Sequence, residues 1–139
     1  MHSYFSPYES PMNAFVAAQA LILDFENRLR LVTLTANEPF LFHTDSGEEN
    51  FTGVMSWTLK GFTKALQTVD LKAVEFHDCR GDFESWAEHS LQDEVLAKQL
   101  RKIGAAKLKG EELRREIIDV AEKRFEVLNK QVQTATRLF

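Results

Sequence analysis

Chemically competent side chains crowd most densely at Phe76-His77-Asp78-Cys79-Arg80-Gly81-Asp82-Phe83-Glu84-Ser85-Trp86. His77, Asp78, Arg80 and Asp82 supply a base, two carboxylates and a cation, the types that general acid/base chemistry or anion recognition needs. Whether they converge is a question of geometry. A helix over 71–79 puts His77 and Asp78 about 100° apart around its axis, so those two do not share a face. An acid/base pair forms only if the turn at Gly81 folds Asp82 back toward His77. The candidate ligand-binding residues are therefore His77, Arg80 and Asp82, in a pocket between the 76–86 turn and the 43–50 loop, where Arg80 and His77 would favour an anionic ligand. No catalytic role can be assigned.

The same residues also have an architectural reading. Gly81 suits the left-handed position that stops a helix, and Asp82 suits the cap of the next one. Arg80 then pairs with Asp82 or Glu84, or covers the carbonyls at the end of the preceding helix. His77 makes a structural hydrogen bond beside Phe76, and Cys79 is a small buried apolar residue. Arg80-Gly81-Asp82 also spells a cell-adhesion tripeptide, but its Gly and Asp are already explained as stop and cap.

Other chemistries lack support. His43, His77, His89 and Cys79 could meet at a metal only through tertiary contacts, because no HxxxH or CxxC spacing occurs, so no metal and no cofactor are expected. The six glycines are scattered and form neither GxxxxGK nor GxGxxG, and there is no GxSxG elbow. Asp45-Ser46-Gly47-Glu48-Glu49-Asn50 is acidic but lacks the alternating ligands of a calcium loop.

A chain of 139 residues with a formal charge of −4 is one domain's worth of sequence, 1–139, with no overall positive field for nucleic acid. Lys98, Arg101, Lys102, Lys107 and Lys109 form the best basic stretch, yet Asp93, Glu94, Glu111 and Glu112 flank it, which reads as a solvated mixed-charge face. A single cysteine excludes an internal disulfide and suits a reducing cytoplasm. The apolar run from Ala14 to Leu23 is far short of the roughly 20 residues that span a bilayer. The start, Met1 to Pro7, lacks the features of a secretory signal. A cytoplasmic, non-membrane protein is expected.

The positioning elements follow from periodicity. Residues 1–12 read as an irregular arm. Phe15, Ala18, Ile22, Phe25, Leu29 and Val32 predict a helix over 12–34, while alternation on either side of Glu26-Asn27-Arg28 predicts a hairpin instead; both stay open. Phe40-Leu41-Phe42 reads as a short extended piece, and Gly53 as a turn that a Cβ would obstruct. Ser56 is expected to cap a helix striped by Leu59, Phe62, Leu66 and Val69, and Asp70 one with Leu71 and Val74 inward. Phe83, Trp86, Ala87 and Leu91 line the next. Asp93 opens a helix with Leu96, Leu100 and Ile103. From 111 to 139 a long C-terminal helix carries Leu113, Ile117, Val120, Ala121, Leu128 and Val132. The fold class is mostly α, a helical bundle of about five or six helices with or without a short N-terminal β-hairpin, α+β being the alternative.

Phe40-Leu41-Phe42, Thr52-Gly53, Leu59 to Phe62, Val69-Asp70, Phe76-His77, Arg80-Gly81-Asp82-Phe83, Trp86, and Asp93-Glu94 with Leu96-Ala97 together resemble a family of small archaeal and bacterial domains of unknown function. The resemblance covers 40–103 and implies no activity. The functional expectation is a non-enzymatic protein-interaction or regulatory module that self-associates, as a homo-oligomer or with a partner protein, through its long amphipathic helices. The alternative is a small enzyme or anionic-ligand binder with its pocket near 76–86. Weak nucleic-acid binding ranks third.

Overall fold

The computed structural model describes residues 36–138, with side chains to Thr134, together with the helical pair Ala18 and Gln19. The 1–12 arm and the rest of the 12–34 segment, where helix and hairpin competed, fall outside the described residues.

Among the described residues the fold is mostly helical, with one short antiparallel hairpin. Strands β1 (Phe40–His43) and β2 (Phe51–Ser56) are joined through a 3-10 turn at Glu48–Asn50, and five helices follow: α1 (Leu59–Thr68), α2 (Leu71–Arg80), α3 (Asp82–His89), α4 (Glu94–Ala106) and α5 (Gly110–Leu138). This hairpin spans 40–56, where the sequence suggested only a short extended piece at Phe40-Leu41-Phe42. Its register pairs Phe40 with Ser56, Leu41 with Met55 and His43 with Phe51, so β2 bulges opposite Phe42. Gly53 sits in that bulge with φ +85°, and a Cβ there would meet nothing within 4 Å. The expected obstruction is absent; the positive φ is the reason for glycine.

Capping is where the local reading holds best. Asp70 accepts from the Lys72 amide, and Asp93 accepts from the amides of Val95 and Leu96, as expected of N-caps. Two caps differ. Thr58, and not Ser56, accepts from the Gly61 amide at the start of α1, because Ser56 is still the buried last residue of β2. Asp82 is the first residue of α3 and makes no cap bond, its carboxylate being drawn elsewhere.

Phe40, Phe42, Phe62, Phe83 and Trp86 form an aromatic centre beneath the hairpin, all at most 7% exposed. Each phenyl ring buried there contributes about 2 kcal/mol. Helix α5, 29 residues and so about 43 Å long, packs on α1, α2 and α4, with Leu113, Ile117, Ala121, Leu128 and Val132 buried. Polar side chains close the ends of neighbouring helices. Arg114 Nη1 donates to the carbonyls of Leu66 (2.6 Å) and Val69 (2.7 Å) at the end of α1, and the Gly110 amide donates to Glu75 Oε2 at 3.0 Å.

Candidate functional site

Gly81 brings the predicted residues together. It stands between α2 and α3 with φ 72°, and its amide returns to the carbonyls of Asp78 and His77. This left-handed stop reverses the chain so that the first side chain of α3 faces the last turn of α2. Asp82 Oδ2 then lies 2.8 Å from His77 Nδ1. The fold-back that spacing alone did not require is what the backbone adopts.

His77 is 4% exposed and holds three elements at once. Its Nε2 accepts the backbone amide of His43 at 2.8 Å, tying α2 to the end of β1. An Nε2 that accepts an amide carries no proton, so the ring hydrogen sits on Nδ1 and is donated to Asp82. Burial pushes the imidazole below its ordinary value of 6.5; the hydrogen bond and charge of Asp82 oppose that shift, while His43 and Arg80 reinforce it. The ring is neutral at neutral pH, and it packs edge-on to Phe40 with centroids 4.7 Å apart.

Arg80 takes one of the partners foreseen for it: Nε lies 3.4 Å from Asp82 Oδ2, and the guanidinium lies over the Phe76 ring, 4.9 Å from its centroid. Glu84 instead meets Arg101, with Nε 3.1 Å away. Asp78 does not join this cluster. It lines a small recess with Gly81, Phe83, Glu84, Leu100 and Gly104, where burial pushes its carboxyl up.

An open groove of about 490 Å³ runs beside these residues. Residues 38–41 and His43 form one wall, Asp45, Ser46 and Gly47 one end, and Phe76, His77, Arg80 and Asp82 the other wall. This lies between the 76–86 turn and the 43–50 loop. Trp86 Nε1 donates to the Glu38 carbonyl at 2.7 Å and so fixes the rim.

Among the described residues no three His, Cys, Asp or Glu side chains converge as metal ligands. His43 and His77 are neighbours, with ring centroids 6.2 Å apart. His89 is exposed and bonded to the Ser85 carbonyl at 3.0 Å. Cys79 is exposed, which corrects the expectation of a buried residue; it falls on the solvent face of α2. Sequence reasoning missed Glu38 as part of the groove, and it missed Arg124, whose Nε donates to Asp93 Oδ2 at 2.8 Å. Only the fold brings these partners together, although an arginine so close to the apolar stripe of α5 was a usable sign for the last.

One family comparison matches, and it spans residues 37–139, from the start of the hairpin region to the end of α5. The chain belongs to a family of unknown function, DUF5752. The match includes the 40–103 segment and extends beyond it over the whole of α5. No curated protein and no solved structure gives a significant match. Nothing in the family's description assigns chemistry to the groove.

Proposed function

We propose that this domain is a non-enzymatic protein-interaction module. The observation that carries the reading is that both ring nitrogens of His77 are committed, one to the His43 amide and one to Asp82. The best-placed base in the chain therefore has no free lone pair for a substrate. Surface composition supports contact instead: Leu41 and Met55 face each other across the hairpin at 41% and 49% exposure, Trp57 follows at 43%, and Val127 on α5 stands at 44%.

Self-association through long amphipathic helices is the narrower form of this proposal. The stripe of α5 is buried within the chain, so Val127 is the apolar position that such contact would use. A cytoplasmic setting accords with the exposed lone thiol, and among the described residues no helix is long and apolar enough to cross a membrane. We also take Phe76-His77 through Trp86 as the motif that members of this family share, because the His77 clamp and the Trp86 bond to Glu38 would both be lost on substitution.

The test is a photo-crosslinking side chain placed at Met55, Trp57 or Val127, with Glu116 on the exposed face of α5 as control, in living cells. Discrete adducts from the first three and none from Glu116 support the module, and an adduct of twice the chain mass from Val127 supports self-association. Equal adducts from all four positions, or none, overturn it.

A second reading, a small-ligand site, is favoured by the groove itself. An anionic ligand fits it poorly, since Glu38, Asp45 and Asp82 line it against Arg80. Nucleic-acid binding through 98–109 is weakened by the engagement of Arg101 with Glu84 and Glu88.

A further inference from the structure

We propose that the groove between β1 and α2 receives a short extended peptide segment bearing a basic side chain. This rests on the interaction-module reading and names the partner's chemistry. The lining holds three carboxylates, Glu38, Asp45 and Asp82, and one guanidinium, Arg80, a formal sum of −3 + 1 = −2 over these four groups. Arg80 is spent on Asp82. Among the described residues no cation pairs with Glu38 or Asp45, so uncompensated negative charge lines the groove at these two positions, where it attracts a cation and repels an anion.

The floor suits the stem of such a side chain. Half-exposed Leu41 and partly exposed Phe76 give the apolar surface along which a lysine or arginine lays its methylenes while its head reaches a carboxylate. The groove wall already shows the geometry, with Arg80 lying over Phe76 and reaching Asp82.

Backbone pairing along β1 is interrupted. Pro39 has no N–H, and the outward amide of His43 is taken by His77, so a strand added at the free edge of β1 would lose pairing at both of these positions. Recognition then rests chiefly on side chains. The groove's volume of about 490 Å³ falls within the roughly 300–1,000 Å³ of compact ligand sites.

The experiment titrates the full chain, followed by amide NMR, with three capped pentapeptides that differ only in a central Lys, Gln or Glu between leucines. The Lys peptide is expected to shift the amides of 38–45 and 76–82, to bind about fivefold tighter than the Gln peptide, and to weaken as salt rises. Glu38→Gln with Asp45→Asn, both on exposed side chains, should remove the preference without moving the unfolding midpoint. Equal shifts by all three peptides, shifts elsewhere, or no binding overturn the site. Adducts from Met55 or Trp57 in cells alongside such a result would retain the module and discard only this groove; absence of both would discard the module as well.

Discussion

Asp93 shows how one side chain can serve two elements. Its Oδ1 accepts the first amides of α4, and its Oδ2 accepts from Arg124 of α5, with the carboxylate side chain only 2% exposed. Removing the arginine leaves a buried anion without a counter-charge, a change that costs more than the pair itself contributes. Arg124→Met is therefore expected to destabilise the domain by about 3 kcal/mol in urea unfolding. A loss below about 1 kcal/mol would mean that the pair is solvated in solution. His77 is the counterpart without net charge: it is buried, satisfied at both nitrogens, and selected against protonation by the same low-dielectric surroundings.

At the scale of elements, the corner at Gly81 decides the site. A residue with a Cβ would have to hold φ 72°, and that Cβ would lie 2.7 Å from Glu84 Oε1, the far end of a flexible side chain that can move away. The backbone strain is what remains, so Gly81→Ala should cost about 1–2 kcal/mol and loosen the His77–Asp82 contact. Unchanged stability would show that α2 and α3 can meet by another turn.

The same corner marks how far the sequence was legible. Helix existence, the inward residues of all five helices, the Asp70 and Asp93 caps and the left-handed stop at Gly81 follow from local periodicity and side-chain chemistry, and the structure contains them. The hairpin's position, the Thr58 cap and the direction of the Asp82 carboxylate do not. The first rests on a contact between residues 34 positions apart in the chain; the cap is set by where β2 ends, and the carboxylate by the reversal at Gly81. The candidate residues His77, Arg80 and Asp82 were visible as types, and the 43–50 loop as the side facing them; their arrangement as a clamp, with Glu38 completing the groove, was not.

For the whole molecule, the clamp joins the hairpin to the helices, so its protonation is a stability event. The folded imidazole is held below its ordinary 6.5, so the unfolded chain binds the proton first as pH falls. The stabilising contribution is present in full above pH 6.5, shrinks as pH falls below that value, and levels off once the folded group also protonates. His77→Ala should cost about 2–4 kcal/mol at neutral pH, from the orphaned His43 amide and the cavity left behind, and should flatten this part of the pH profile. The most direct measurement of the central claim is nitrogen NMR of the His77 ring across a pH titration. A neutral ring with hydrogen on Nδ1, protonating below pH 6.5, is expected; hydrogen on Nε2, or a ring that is cationic at neutral pH, would overturn the clamp.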